Sequence, residues 1–453
     1  MDPSARKNNL IVHLPASSLP WVIGGKEIYT QSFAQELQKR GWQNLLVYHQ
    51  NPSINETLGY QEHEGMGIQV LPPLPAIQRE QTYTCRTSAV SGFRELIQRL
   101  KPAVVHFHDF STGANLLHLD EAKAAGAKTV MTYHSPGQTC LQRELRYNGS
   151  TVCDGEIRLD RCTACRLGAQ GIPSWLRWPL AKISLPQISD SSLGRAISAR
   201  RMTEKYSLAF REMVQKIDGI HVFANWAMDL MRLNKVPQEK LCMFRTGLPI
   251  EIMARPRPIT SGPDYTFRIV MLGRCERIKG QEVLIDAVQG LPASAKVHVS
   301  FFGSYWDTTE YGRKCLQKIQ GDARFDLPRK VPHTEIPSFL ALADIMAVPS
   351  LWLETGPLVV LEAFASQLPV LGSRLGGIAE LVEEDKTGLL FSAGNSLELR
   401  QCLSRLLEEK GLLATLRNNI QPPRTMRDVT ADMEQLYLKL LSSNSKQQEE
   451  SLA

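Results

Sequence analysis

The sequence predicts an α/β protein made of two doubly wound, Rossmann-like parallel-sheet domains facing each other across a crevice. Three observations carry that prediction. The chain has 453 residues, too many for one ordinary core, and two domains of roughly 200 residues are the natural division. Short β-branched runs alternate with amphipathic stretches along its whole length, the pattern of repeated βαβ units. The alternation stops once, at a proline-rich stretch, and then restarts.

In the first half, LIVHL (Leu10–Leu14), NLLVYH (Asn44–His49), AVVHFH (Ala103–His108), TVMTYH (Thr129–His134) and GIHVFA (Gly219–Ala224) read as buried strands. Between the first two, SFAQELQKRG places Phe33 and Leu37 on one helical face. Gly41 follows where the chain must leave that helix. The break is LPIEIMARPRPITSGPDY (Leu248–Tyr265), with four prolines and a Ser-Gly pair. The strands of the second half are RIVMLG, KVHVSFFG, DIMAVPS, PVLGS and GLLFS. The expected boundaries are an N-terminal domain at 1–250 with a cysteine-rich insertion at 138–216, a linker at 251–265 and a C-terminal domain at 266–422. A C-terminal helix at 423–445 packs back on the N-terminal domain, and a disordered tail covers 446–453.

Hydrophobic residues at 43% and charged residues at 22% describe a globular chain. A net charge of +6 suits a partner that is anionic somewhere and does not demand nucleic acid. The apolar run in MDPSARKNNLIVHLPASS is too short for a signal peptide. No window approaches the ~18 apolar residues of a membrane span. The expectation is a cytoplasmic protein, peripheral to the membrane at most. In a reducing compartment its nine cysteines are thiols or metal ligands rather than disulfides, and the sequons at Asn55 and Asn148 carry no meaning.

Two stretches of the second half carry chemistry. In RCERIKGQEVLIDAV, Arg274 and Lys279 lie on a loop and helix start that together suit an anion; a solvated basic loop is the plain alternative. In VPSLWLETGPLVVLEAFASQLPV, a strand ends at Ser350 and the following loop carries Glu354. Gly356 then permits close backbone approach, and Pro357 suits a first helical position. The N–H groups around Leu358 and Val359 would face a phosphate. Glu354 can reach a sugar, and Glu362, on the first helical turns, can accept hydrogen bonds from ribose hydroxyls. A bare Glu-x7-Glu also occurs by chance, as two ordinary surface glutamates.

These motifs closely resemble the retaining GT-B glycosyltransferases of family GT4 (glycosyltransferase group 1). The resemblance rests on Glu354-x7-Glu362 between DIMAVPS and PVLGSRLGGIAELVEEDKTGLLF, and on GRCERIKGQEVLIDA. It extends to the Gly-Gly loop Gly24–Gly25 with Glu27, and to VPQEKLCMFRTGLP, where Thr246-Gly247 stands for the family's Asn-Gly. It spans most of residues 8–440.

The resemblance implies a UDP-, GDP- or ADP-sugar donor and a saccharide or lipid-linked acceptor bound by the N-terminal domain. The donor's diphosphate would lie among Gly24, Gly25, Arg274, Lys279 and the helix start at Gly356, Pro357 and Leu358. Glu354 would hold the donor sugar's hydroxyls, and Glu362 the ribose. It further implies same-face attack, with the leaving phosphate taking the acceptor proton, and no cofactor for catalysis. In keeping with that, the chain has no Asp-x-Asp motif. His134 matches the family's histidine near the reacting centre, where a neutral imidazole could donate a hydrogen bond; a capping histidine at a strand end is the alternative. His106 and His108 share a strand face, His106 reading as core and His108 as the weaker site candidate.

A sugar-nucleotide epimerase and a non-catalytic sugar-nucleotide-binding regulatory protein are the competing readings. The pattern argues against a classical dehydrogenase, because no strand is followed by G-x-G-x-x-G and Gly24–Gly25 lacks that spacing.

Two features stand apart. Cys140-x12-Cys153-x8-Cys162-x2-Cys165 contains one C-x-x-C and can close a structural zinc site or hold an iron–sulfur cluster. Four free thiols are the alternative. Some family relatives carry a similar cysteine-rich insertion, and here it would staple an irregular segment on the acceptor side. Residues 166–216 then hold nine basic residues against three acidic ones, with Trp175 and Trp178 near the start. Such a segment suits peripheral contact with anionic lipid.

Overall fold

In the computed structural model, β-branched runs become strands wherever both faces can be covered. It describes residues 9–15, 24–51, 53, 57–74, 90–111, 113–185, 191–249, 258 and 265–450. Two units emerge, one from 1–245 with 426–453 and the other from 246–425. Apart from Pro258 and Tyr265, the predicted linker 251–265 lies outside the described residues.

The first unit contains β1 (Leu10–Leu14), β2 (Gln43–His49), β3 (Gly59–His63), β4 (Met66–Leu71), β5 (Val104–His108), β6 (Lys128–Thr132), β7 (Arg146–Tyr147), β8 (Thr151–Val152), β9 (Gly219–Val222) and β10 (Leu241–Met243). Eight of these form one sheet in the order β10-β9-β6-β5-β1-β2-β4-β3. Only β3 runs antiparallel. It was not legible as a strand because GYQEH is polar and half exposed, as an edge strand is. The turn Glu64–Gly65, left-handed at both residues (φ 49° and 72°), closes its hairpin with β4.

Helix Gly25–Lys39 buries Phe33 and Leu37 as the spacing predicts, and Gly41 takes the left-handed conformation just past its end. The helix Met426–Glu450 packs along it, burying Met426, Val429, Met433 and Tyr437 in the same cluster as Phe33 and Leu37. Its Glu434 accepts hydrogen bonds from Arg40 Nε at 2.7 Å and Trp42 Nε1 at 2.9 Å. This helix continues through Glu450, past Lys446, where the sequence predicts the start of a disordered tail; residues 451–453 lie outside the described residues.

The second unit holds β11 (Phe267–Leu272), β12 (Val297–Phe302), β13 (Ile345–Val348), β14 (Val370–Ser373) and β15 (Gly388–Phe391). All are parallel, in the order β12-β11-β13-β14-β15. Along β11, Phe267, Ile269 and Met271 enter one apolar cluster while Val270 and Leu272 enter another. Both sheet faces are therefore covered, which is why the strand reads as a continuous apolar run. Among the described residues, no helix is long and apolar enough to cross a membrane.

Candidate functional site

The strand order of the second unit decides where its polar loops meet. Numbered within the unit, it is 2-1-3-4-5, a doubly wound order whose switch point lies between the first and third strands. The loops leaving β11 and β13 are thus neighbours at the carboxyl edge. They carry Arg274 with Lys279, and Ser350 with Glu354.

The two loops are fastened to each other by backbone. Leu351 N–H donates to the Ile278 carbonyl at 2.7 Å. Gly280 is left-handed (φ 79°), and a Cβ there would lie 1.9 Å from the Pro349 carbonyl oxygen. Only glycine fits that contact, and it fixes Lys279, the preceding residue, against the β13 loop. Lys279 Nζ reaches Glu354 Oε1 at 2.7 Å. Ser350 Oγ donates to the same oxygen at 3.0 Å. From the start of helix Gly376–Leu381, which follows β14, Gly377 N–H donates to the Glu354 carbonyl at 2.8 Å.

Burial pushes the Glu354 carboxyl upward. The Lys279 ammonium and the hydrogen bonds outweigh it and hold the group below the ordinary carboxylate range. Glu354 is therefore ionised, and the indole of Trp352 lies 5.5 Å from Lys279 Nζ.

The other residues expected here take separate positions. Arg274 is half exposed, 3.4 Å from Glu276 Oε2 and 5.8 Å from the Tyr305 ring centre. β13 ends at Val348, two residues before Ser350. Pro357 is the N-cap of helix Leu358–Ala365 rather than its first residue, so that helix starts one residue later than expected. No side chain caps it. Gly356 lies just before it, and Glu362 is buried on its second turn.

In the first unit, Gly24 is the N-cap of helix Gly25–Lys39. A Cβ at Gly24 would lie 2.6 Å from Glu27 Oε2, so this carboxylate folds back over the helix start. Gly25 is exposed. His134 does not end a strand, because β6 stops at Thr132. It sits on the next loop, pinned by a residue that sequence reasoning passed over. Asp109, buried and left-handed (φ 71°), accepts from His134 N–H at 2.8 Å, Ser135 N–H at 3.2 Å and Ser135 Oγ at 2.9 Å. Burial raises the Asp109 pKa, against the pull of Lys26 and of these bonds.

Behind His134 runs a line of buried histidines. Asn44 Nδ2 donates to the Trp42 carbonyl at 3.1 Å, leaving its Oδ1 to accept from His13 Nε2 at 2.9 Å. Neutral His13 then accepts through Nδ1 from His108 Nε2 at 3.2 Å. Neutral His108 accepts through Nδ1 from His134 Nε2 at 3.2 Å. The network assigns His134 the Nε2–H tautomer, with Nδ1 as its acceptor atom. The imidazole expected to donate towards a sugar gives its N–H to His108 instead. His108, the weaker candidate by sequence, is thus the residue that orients His134. His106 is core, bonded to Tyr437 and Thr132.

His13, His106 and His108 offer nitrogens within 4.8 Å of one another. All six ring nitrogens already have partners in this network, so no lone pair is left over for an ion.

Burial lowers the pKa of His13 to about 4, and those of His108 and His134 well below the ordinary 6.5. The unfolded chain therefore binds more protons than the folded one below pH 6.5. Stability from these groups is full above that pH and is lost as pH falls towards 4. His13 alone accounts for about 3 kcal/mol. We expect the melting temperature to drop across this window, and His13→Gln to make the drop shallower. An unchanged slope in that variant would contradict the assignment.

Cys140, Cys153, Cys162 and Cys165 line one pocket as free thiols. Trp175 and Trp178 stand 74% and 50% exposed on helix Ser174–Ala181.

Residues 23–251 match the family description Glycosyltransferase Family 4, and residues 257–421 match Glycosyl transferases group 1. The chain is 27% identical over 226 residues to a D-inositol 3-phosphate glycosyltransferase of Corynebacterium glutamicum, covering 47% of this chain and 52% of that one. It is 26% identical over 186 residues to the alpha-D-kanosaminyltransferase of Streptomyces kanamyceticus, covering 37% and 44%. The chain thus spans about half the length of the relatives it matches.

Among solved structures, it is similar to the sucrose-phosphate synthase of Thermosynechococcus elongatus (TM-score 0.66, 18% identity, 96% of this chain and 100% of that one). It is also similar to Anabaena HepE in complex with UDP and glucose (TM-score 0.61, 15% identity, 94% and 98%). At these identities the likeness is one of fold, the GT-B architecture.

Proposed function

The chain belongs to glycosyltransferase family 4, and from that premise we propose that it transfers a sugar, with retention, from a nucleoside diphosphate sugar to a hydroxyl of a saccharide or lipid-linked acceptor. The observation that carries the reading is the Lys279–Glu354 pair at the switch point of the second sheet. Lys279 supplies fixed positive charge where a diphosphate leaves, together with Arg274 on the same loop and the uncapped first turn of helix Leu358–Ala365. Glu354, ionised and acceptor-only, suits the hydroxyls of the donor sugar, and Glu362 those of the ribose. The relative solved with UDP and glucose supports a nucleotide-sugar donor.

In the transfer, the bond from the anomeric carbon to the diphosphate oxygen breaks. The acceptor oxygen bonds to that carbon on the same face, and its proton passes to the departing diphosphate. Fixed charge placed where negative charge develops is the main source of acceleration for such a step, and positioning of the acceptor hydroxyl supplies much of the rest.

A panel of UDP-, GDP- and ADP-sugars tests the reading. Nucleotide release that depends on an added acceptor supports transfer. Donor binding without turnover across the panel would favour a sugar-nucleotide-binding regulatory protein, and sugar isomerisation without an acceptor an epimerase.

We further propose that the exposed Trp175 and Trp178, beside Arg177 and Lys182, make peripheral contact with an anionic membrane. Vesicles rich in anionic lipid should carry the wild type upward on flotation, and Trp175→Ala/Trp178→Ala should lower the floated fraction severalfold. Equal flotation of the two would refute the contact.

A further inference from the structure

We propose that Cys140, Cys153, Cys162 and Cys165 bind one structural zinc ion as thiolates, an assignment independent of the transferase reading. The four thiols come from three separate pieces of backbone. Cys140 follows the 3-10 turn Pro136–Gln138, Cys153 follows β8, and Cys162 and Cys165 stand one turn apart on helix Leu159–Ala169. All four open into a single pocket, walled by Leu145, Tyr147 and Arg161.

Hydrogen-bond donors surround the sulfurs. Asn148 N–H points at Cys165 Sγ at 3.3 Å, and backbone hydrogen bonds from Gly155 and Arg158 reach Cys153 and Cys162. The Arg161 guanidinium lies beside the same thiols. Burial nevertheless pushes the Cys153, Cys162 and Cys165 thiols up, Cys162 to about 11, and these donors offset it only in part; a soft ion would displace the thiol protons as it binds.

Around the pocket the chain is held by polar contacts rather than an apolar core: Arg161 pairs with Asp154, and the Asn234 side chain bonds the backbone of Gly155 and Ile157. Between Cys140 and Cys153, Arg143, Leu145 and Asn148 are non-glycine residues in the left-handed region (φ 62°, 49° and 52°). Each such residue costs about 1–2 kcal/mol. The only regular structure in this stretch is the hairpin β7–β8, two residues per strand, far below what is stable alone. Leu145 is the one apolar side chain of the stretch that is fully buried. A tetrahedral ion would join the three pieces of backbone directly, as structural zinc does in small domains.

The sulfurs stand wider than a closed site, for no three lie within 4.8 Å of one another, whereas the edges of a zinc tetrahedron are about 3.8 Å. All four side chains are only partly buried, so rotation about χ1 is open to draw them in. The site is tied to the His134 loop. Tyr133 Oη and Thr139 Oγ1 are 2.6 Å apart, and Cys140 N–H donates to the Pro136 carbonyl at 2.8 Å.

The test is metal analysis of the full chain, purified anaerobically without chelator. We expect about one zinc per chain. Mercurial titration of the thiols in the presence of a zinc indicator should release it, with a fall in melting temperature of about 5 °C or more. Cys162→Ser/Cys165→Ser should lose the zinc, while Cys402→Ser should keep it. If the double variant does not fold, release from the wild type still decides the question. Four thiols freely reactive in a metal-free native protein, disulfides among them, or iron with visible absorbance would each overturn the assignment.

Discussion

Replacing Glu354 or Lys279 by alanine is expected to lower kcat/KM for transfer by about 10²–10³-fold, the usual loss when one preorganised charge is removed from the reacting centre. The two variants should differ in stability. Glu354→Ala leaves an ammonium that is 25% exposed and can turn to water. Lys279→Ala leaves a buried carboxylate with the Ser350 hydroxyl but without its cation. Because burial is the largest influence on Glu354, its pKa should then rise, and the group should take up a proton as pH falls. Breaking such a pair from the exposed side costs about 3–5 kcal/mol when the buried charge stays unpaired. We therefore expect Lys279→Ala to melt lower than Glu354→Ala, and its loss of stability to be greatest at high pH. Steady-state kinetics and thermal melts of both variants check this. Near wild-type transfer in either one would remove the pair from the reacting centre.

Gly280→Ala should also damage activity, although the glycine touches no substrate. The new methyl would meet the Pro349 carbonyl oxygen at 1.9 Å. No side chain can move aside there, since the obstacle is backbone, so the two loops must part. The left-handed conformation adds about 1–2 kcal/mol for any residue with a Cβ. Gly411 separates these effects. It is also left-handed (φ 86°), but a methyl added there would meet nothing within 4 Å, so Gly411→Ala carries the conformational cost alone. We expect Gly280→Ala to melt lower than Gly411→Ala and to lose at least tenfold in kcat/KM, because Lys279 moves with its neighbour. Equal melts and equal turnover in the two variants would show that the loop contact does not position Lys279.

Both predictions concern residues at one edge of one sheet, and they show how far the sequence reached. Lys279 and Glu354 could be named from it because short polar loops between apolar runs are where charged side chains are solvated or functional. Their contact could not. They are 75 residues apart, and it is the adjacency of β11 and β13 that makes their loops neighbours. Arg274, named with equal weight, points at Glu276 instead, because side-chain direction on a loop follows backbone turns that residue types do not specify. The histidine line was harder still. His13, Asn44 and His108 lie on β1, β2 and β5, and each looks like an isolated polar residue in an apolar run. Only parallel pairing of those strands places the three in contact, with Asn44 deciding the proton position of every ring beyond it. Asp109 gave no signal at all, since nothing local distinguishes a carboxylate that pins a distant loop from one that faces water.

Residue pattern alone was enough for the fold class and for the positions of most strands. Burial on two faces demands continuous β-branched runs, and that requirement is local. It was enough for the family too, because the spacing of residues around each strand end is set by the loop that must carry them. Packing was needed to establish which loops meet, which tautomer His134 holds, and that a polar edge strand completes the first sheet. Those outcomes depend on strand order and backbone approach, which are settled between elements distant in the chain.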